Sequence, residues 1–437
     1  MSLPENEKGE QGLLRAIGVP ALTANIINTT IGASIFVLPA AMAQNLGTAA
    51  PVAFVVCGIA MALFVTCFAL AGSRVSLTGG LYAYAEVAFG RYVGFLAGLL
   101  LFTTNVLSVA AVLNVLIGAI LALVPALANP IGRVGLMLLV YGGLALINVR
   151  GVRSGAAAVA ATTIAKLIPL LIFIAAGLFF VKPGTLAFSS LPGTHALGDS
   201  VLLLLFAFFG IETALVPSGE VRNPARTVPR AIYLALATTT LIYILIQLVA
   251  QGTLGPQLAE NTTSPLAQAA GSFLGNAGRL LLLAGATVSC LGYVTSDILS
   301  SPRIFYALGR AGILPRPFAH VHPHFRSPDV AIVVYTVIAF AASLTSTFES
   351  LAVMANVAAL LLYTVCCAAA WTLMRRDVRT DGAPLNFPGA KLVPPLAIAA
   401  IVWILSHATP REFAVTAAVL ATGTALYFAR VMTKRQA

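Results

Sequence analysis

Apolar positions along this chain gather into long runs instead of alternating, and polar positions fall mostly between the runs. Twelve such runs stand at 16–42, 50–71, 94–124, 134–148, 157–181, 200–218, 231–251, 277–300, 329–347, 350–374, 392–408 and 413–431. A run of about 20 apolar residues is long enough to cross the hydrocarbon core of a bilayer as a helix. The pattern predicts an all-α integral membrane protein with 12 transmembrane helices. The weakest run, 134–148, is short, but the basic turn NVRGVRSG marks it off from the next.

Two runs interrupt themselves. In 24–40, ANIINTTIGASIFVLPA, the residues Thr29, Thr30, Gly32 and Ser34 stand where a membrane helix would carry Leu, Ile or Val, with Gly32 at the centre. Glycine has no Cβ to hold it helical, so a break is expected there. The second interruption is 206–220, FAFFGIETALVPSGE, where Gly210 stands beside the ionisable Glu212 and Pro217 follows. Inside a bilayer, unpaired backbone groups are tolerated only where protein, water or a bound solute satisfies them. Glycine- or proline-interrupted spans at corresponding places in two halves therefore point to a solute site. The alternative is that small residues merely let helices pack closely. At the first break, the N–H groups around Gly32, Ala33 and Ser34 open a second half-helix whose positive dipole end suits a carboxylate.

Composition agrees with the pattern. Of 437 residues, 59% are hydrophobic and 9% charged, where soluble chains carry about 25% charged residues. The net charge of +11 follows from loop bias, not from nucleic acid: 20 of the 25 Lys and Arg residues fall on one side of a twelve-span arrangement. That side holds both termini, which the positive-inside rule makes cytoplasmic. The opposite side carries Arg133, Lys182, Arg279 and Arg411. The polar N-terminal MSLPENEKGEQG has no short apolar core or small-residue cleavage site, so it reads as a cytoplasmic tail (1–14) and not as a cleaved signal. A second short tail, 432–437, ends the chain.

Lys166 is the remaining base, and it lies inside the fifth run, AATTIAKLIPLLIFIAAGLFF. A lysine there costs roughly 2.5–3.5 kcal/mol on insertion scales and is functional by default. At about 1.5 Å per residue it is roughly 15 Å from the Arg153 end, too deep to snorkel. Other polar features read more plainly. The third run's stripe of Thr103, Thr104, Asn105, Ser108 and Asn114 suits interhelical hydrogen bonds. GGLYAYAEVAFG reads as a cytoplasmic amphipathic element, either an interfacial tyrosine belt or a gate. The HVHPH cluster, with proline in it and a loop around it, reads as a solvated turn, and Asp297 has Arg303 as a candidate partner. All five cysteines lie in apolar runs without metal-ligand spacing and read as buried thiols. There is no Walker loop, GxSxG, HExxH or CxxC, so neither a cofactor, a resident metal nor an ATP-driven pump is expected.

Four motifs in order resemble the amino acid–polyamine–organocation transporter superfamily, specifically its bacterial amino acid permeases. They are IGASIF with LPA, GGLYAYAEVAFG, FGIE…GEVRNPARTVPRAI, and FYALGRAGILP, and the resemblance covers approximately residues 15–430. It implies a five-plus-five inverted repeat of the leucine-transporter type with broken helices 1 and 6. The repeats would occupy 15–181 and 199–374, with two further helices at 391–431. It also implies alternating access at a site formed by Thr30, Ile31, Gly32, Ala33 and Ser34 with Phe206, Phe209 and Gly210, in which carbonyls near Thr30, Phe206 and Phe209 hold the substrate's amino group. Phe206, Phe208 and Phe209 make the sixth-span wall apolar, which favours a neutral or hydrophobic amino acid, although aromatic rings also hold cations and leave arginine or a polyamine open. In several sodium-independent members a span-five lysine puts its ammonium between helices 1 and 8, and Lys166 fits that position. Such a lysine repels Na⁺ and, if it sheds its proton, permits proton coupling. Glu212 is a candidate gate. Two departures stand out: Gly32-Ala33-Ser34 replaces the frequent G-S-G, and Ala311 stands where the family often has an acid. The implied function is sodium-independent secondary transport of amino acids across the cytoplasmic membrane by proton symport, with exchange as the alternative. A membrane enzyme should show convergent ligands within the spans, and a substrate-sensing receptor should carry an output domain; this sequence shows neither.

The charge bias yields a direct test. Single cysteines at Ser2, Arg226 and Thr433 should resist a membrane-impermeant thiol reagent applied to intact cells, and one at Gly193 should react. Strong outside labelling at position 226 would invert the topology.

Overall fold

A computed structural model describes residues 17–75, 80–150, 156–187, 192–212, 221–222, 224–310, 314–379 and 384–436; side chains are described for these except at 156–164, 224–225 and 430–436. The described residues form helices and their connections, with one isolated parallel bridge, Ile17 to Val221, and no β-strand. In chain order the α-helices are α1 (Val19–Thr30), α2 (Leu38–Leu46), α3 (Ala50–Gly72), α4 (Leu81–Phe89), α5 (Arg91–Leu123), α6 (Pro130–Arg150), α7 (Ala156–Gly177) and α8 (Thr194–Leu204). They continue with α9 (Pro224–Leu254), α10 (Pro265–Ser300), α11 (Pro302–Arg310), α12 (Asp329–Thr345), α13 (Phe348–Arg375), α14 (Val393–Leu405) and α15 (Pro410–Gln436).

Seven helical stretches among the described residues are long and apolar enough to cross a membrane, and four further apolar helices are shorter. Three of the seven are composite, of which Arg226–Ala259 runs from α9 into a 3₁₀ turn at Gly255, φ +57°. Leu38–Gly72 joins α2 to α3 through a turn at Gly47, φ +54°. Pro265–Arg310 joins α10 to α11, and α10 itself bends at Gly275, φ +64°, ψ −156°. Left-handed backbone at these points is open to glycine and strained for other residues, so glycine sets where one rod stops and the next starts. The eighth apolar run begins at 277, just past that bend.

Local chemistry accounts for other boundaries. The weak fourth run grows into the 21-residue α6 because Asn129 caps it, its Oδ1 accepting from Gly132 N–H at 2.8 Å. Thr347 caps α13 by accepting from Ser350 N–H at 3.4 Å. GGLYAYAEVAFG forms the short α4, which buries Leu81, Ala83, Tyr84, Ala85 and Ala88, turns at Gly90 (φ +92°) and lies back against α5 and α13. The polar stripe of α5 reaches other helices only in part, through Asn105, which donates to Ser301 Oγ at 3.0 Å, and Asn114. Thr103 and Thr104 bond carbonyls one turn back, while Asn114 Nδ2 donates to Ser343 O at 3.3 Å and its Oδ1 accepts from Arg133 at 2.7 Å.

The core runs along α5 and α13, both buried over most of their length, with α3, α9 and α10 around them. By contrast α6 keeps Ile131 and Leu139 largely exposed, a surface suited to lipid. The N-terminal tail with Lys8 and Arg15, the turn with Arg153, the residues 213–220 with Pro217, and Ala311 lie outside the described residues.

Candidate functional site

The first interruption opens where Gly32 predicts it. Ile31 N–H makes the last helical bond of α1, to Ile27 O at 2.9 Å, and Ile31 then leaves helical geometry at φ −72°, ψ +89°. Gly32 and Ala33 follow, then a single 3₁₀ turn, Ser34–Phe36, before α2 begins with Pro39 in its first turn. Thr29 helps to end α1: its Oγ1 lies 3.0 Å from the carbonyls of both Asn25 and Ile26, a back-bond that weakens a helix. The N–H groups of Gly32, Ala33 and Ser34 donate to no other described residue. A Cβ placed on Gly32 would meet only Thr30 O, at 3.8 Å, so open space lies in front of this glycine although it is half-buried.

The second interruption is built alike. Helix α8 tightens into a 3₁₀ turn, Leu205–Phe208, Phe209 is extended at φ −61°, ψ +146°, and Gly210 takes φ +99°. Glycine is needed at 210 twice over. Its φ is left-handed, and a Cβ there would sit 2.6 Å from Thr29 O and 3.1 Å from Thr30 N. The two breaks thus touch, backbone to backbone, and Thr29 Oγ1 lies 3.1 Å from Gly210 O.

A third helix ties them together. Tyr243 of α9, fully buried, points its hydroxyl at Thr30 O (3.0 Å) and at Ala207 O (2.8 Å), one carbonyl from each break. Sequence reading missed Tyr243, since a lone tyrosine in an apolar run looks like core. Glu212 Oε2 accepts from Gly210 N–H at 3.2 Å and from the Tyr363 hydroxyl of α13 at 3.3 Å, so the acid holds the second break in shape. Outside the breaks, Arg222 N–H donates to Ile17 O at 2.9 Å, linking the flank of the first to the far side of the second.

Of the sequence-predicted residues, Thr30, Ile31, Ala33, Ser34 and Phe206 are buried around this junction, while Phe209, Gly210 and Glu212 are half-buried. Thr30 Oγ1 is a buried hydroxyl with no hydrogen-bond partner. Phe206 and Phe209 pack ring to ring at 5.4 Å, and Phe348 at the start of α13 stands edge-on to Phe206 at 5.7 Å. Phe208 does not join this wall; it faces the other way, edge-on to Tyr243 at 5.4 Å.

Lys166 of α7 donates from Nζ to the carbonyl of Asn28, in the last turn of α1. One turn further along α7, Pro169 lies against α10, where a Cβ on Gly285 would be 2.9 Å from the proline Cγ and 3.8 Å from Phe36 Cε1. The lysine-bearing segment is therefore packed between the first break and α10. Asp297, deeper along α10, accepts from the hydroxyls of Ser301, at 2.7 Å, and Tyr335. These replace the expected Arg303, because the carboxylate points into the bundle while Arg303 is exposed. The HVHPH run is a turn in which His320 pairs with Asp329 at 2.7 Å and His322 Nδ1 accepts from the N–H of His324 at 3.2 Å.

Comparison with known proteins bears on this geometry. The amino acid permease family matches residues 17–433. A serine/threonine exchanger, SteT, of Bacillus subtilis (strain 168) is 29% identical over 408 residues, 91% of each chain. The vacuolar cationic amino acid transporter 4 of Arabidopsis thaliana is 26% identical across 86% of this chain and 66% of its own length. A methylthioribose transporter of Bacillus subtilis (strain 168) is 26% identical across 96% of this chain and 94% of its own.

Two substitutions probe the junction. A Cβ at position 32 would meet no atom closer than Thr30 O at 3.8 Å, so Gly32→Val should leave abundance and monodispersity intact while abolishing amino acid binding; unchanged affinity would remove Gly32 from the site. Tyr243→Phe removes the single proton that the buried carbonyls of Thr30 and Ala207 share, a loss of about 1–3 kcal/mol. It should lower the apparent unfolding temperature and weaken substrate binding together, and a variant as stable and as tight as the wild type would show that the hydroxyl carries neither.

Proposed function

This chain belongs to the amino acid permease family, a family of multi-pass amino acid transporters, and on that premise we propose that it moves neutral amino acids across the cytoplasmic membrane without sodium, by proton symport and alternating access. The observation that carries this reading is the junction of the two breaks. Gly210 lies against Thr29 and Thr30, open space lies where a Cβ on Gly32 would stand, and the N–H groups of Gly32, Ala33 and Ser34 have no acceptor among the described residues. Amide donors at the start of a half-helix suit a carboxylate, and the carbonyls that end α1 and the 3₁₀ turn after α8 suit an ammonium. Together they read the backbone that all amino acids share. The apolar wall of Phe206, Phe209 and Phe348 favours a side chain without charge.

The architecture that goes with this reading has twelve spans. Helices α1 and α2 form one broken span, α8 and the residues after it another. A first repeat runs to α7, a second from α8 to α13, and α14 and α15 stand outside. Both termini are cytoplasmic on this reading.

Sodium independence rests on Lys166. An ammonium bonded to the Asn28 carbonyl at the end of α1 takes up a carbonyl that a cation would use and repels a second positive charge at short range. Two observations favour a second reading, exchange of one amino acid for another. The hydrogen bond from Lys166 to Asn28 O is a brace that works without any change in protonation, and a relative matched over 91% of this chain is named as an exchanger of serine and threonine.

Uptake of radiolabelled serine, threonine, leucine and arginine into proteoliposomes separates the readings, with sodium replaced by choline, with and without an inward proton gradient, for wild type and Lys166→Ala. Symport predicts uptake in choline that a proton gradient stimulates, with the stimulation lost in the variant. Exchange predicts uptake that depends on amino acid loaded inside and ignores both gradients. An absolute sodium requirement in the wild type overturns the role given to Lys166.

A further inference from the structure

Among the described residues, metal-ligating side chains of three residues converge at one place, His195, Asp199 and His407, with their ligand atoms all within 4.8 Å of one another. The cluster is far from the HVHPH run that the sequence advertises. His195 and Asp199 stand one turn apart at the beginning of α8, on the same face of the helix. His407 follows the end of α14, close to Arg411 and Glu412. The cluster therefore lies where one helix begins and another ends, at the border of the apolar layer and not inside it.

We infer that His195, Asp199 and His407 form a binding site for a divalent transition-metal ion of the zinc type, with water completing its shell. The donor set is two imidazole nitrogens and a carboxylate, which suits zinc and disfavours magnesium or calcium, whose sites are built from oxygen. The spacing fits as well. Ligands at about 2.0–2.1 Å from a tetrahedral ion are roughly 3.3–3.4 Å apart, and His407 Nδ1 lies 3.3 Å from Asp199 Oδ1. That pair is close without being hydrogen-bonded, for Asp199 Oδ1 is a buried acceptor with no hydrogen-bond partner. A buried carboxylate oxygen facing an imidazole nitrogen at that distance, with no proton aligned between them, has the geometry of two ligands sharing an ion. The other carboxylate oxygen is 2.9 Å from His195 Nδ1.

Half of the site is held in place and half is free to close. The His407 side chain is only 11% exposed. Its ring lies on Gly198, where a Cβ would come within 2.2 Å of Nε2, and its other side meets the edge of Trp403 at 5.5 Å. Glycine at 198 is what lets the imidazole reach Asp199. His195, with a side chain 85% exposed, can turn about its χ angles onto an ion held by the other two. Once bound, the ion ties the half-helix that leads into the second break to α14.

The test is titration of zinc chloride into the purified full-length protein in detergent, carrying no histidine tag, followed by calorimetry, with magnesium chloride as the comparison ion. The wild type should bind one more equivalent of zinc than either His195→Ala or Asp199→Asn, or bind that equivalent at least about tenfold more tightly. Zinc should also raise the apparent unfolding temperature of the wild type and leave that of His195→Ala unmoved. Because His195 is exposed, its alanine variant is expected to fold, whereas His407→Gln disturbs packing and serves only as a second check. Zinc binding equal in wild type, His195→Ala and Asp199→Asn overturns the site, as does the lack of a zinc equivalent in the wild type. Magnesium binding as tight as zinc overturns the ion class. The readout is metal binding, so its outcome does not depend on whether the protein transports by symport or exchange.

Discussion

A peptide group left without a hydrogen bond in hydrocarbon costs several kcal/mol, and the two helix breaks have to meet that cost in the middle of an apolar bundle. They meet it mostly from each other and from two neighbouring helices. Tyr243 offers one hydroxyl to a carbonyl from each break, Glu212 takes the Gly210 N–H, and Thr29 reaches Gly210 O. The donors of Gly32, Ala33 and Ser34 are met by no described residue. The breaks are thus neither flexible joints nor packing defects. Bonds across and beside the junction hold them, while the donors at 32–34 and the Thr30 hydroxyl find no partner among the described residues.

How much of this could be read from the chain depends on how far apart the interacting residues are. The breaks themselves were legible, since Gly32 and Gly210 change the backbone where they stand, whereas the rod ends at Gly275 and Gly90, where glycine takes φ of +64° and +92°, were not, because a lone glycine beside an apolar run need not end a helix. The capped start of α6 was less legible than the breaks, because Asn129 lies before the apolar run that it extends. Tyr243 and the trio of His195, Asp199 and His407 carried no signal: each residue is ordinary in its own segment, and only the packing of α9 between the breaks, or of α14 beside α8, gives it a partner. The histidine-rich HVHPH run shows the converse. Its side chains are close in sequence, yet they turn to Asp329 and to their own backbone.

Lys166 joins the two kinds of information. Its depth in an apolar run marks it as unusual without any structure, while its partner, the carbonyl of Asn28, belongs to the helix that the first break ends. A lysine bonded there fixes the end of α1 to α7, and Pro169 in turn sets α7 against Gly285 of α10. Any movement of α1 relative to α10 must stretch or break this connection. An amine at that position can therefore keep the end of α1 bonded to α7 whether or not it ever loses its proton.

The fate of the three phenylalanines shows why side-chain type alone misjudges a site wall. A 3₁₀ turn has three residues per turn, so residues three apart eclipse one another. In the turn that follows α8, this brings Phe206 and Phe209 onto the same side, ring against ring at 5.4 Å, and sends Phe208 to the opposite side against Tyr243. An α-helix, at 3.6 residues per turn, would also keep residues three apart on one face, but about 60° out of line, where the 3₁₀ turn eclipses them. The tightening before Gly210 thus divides the aromatic residues between two tasks. Phe206 packs on Phe209 and meets Phe348, whereas Phe208 steadies the ring whose hydroxyl lies at both breaks. The ring cluster of Phe206, Phe209 and Phe348 and the support of the broken backbone accordingly rest on neighbouring residues that can be varied separately.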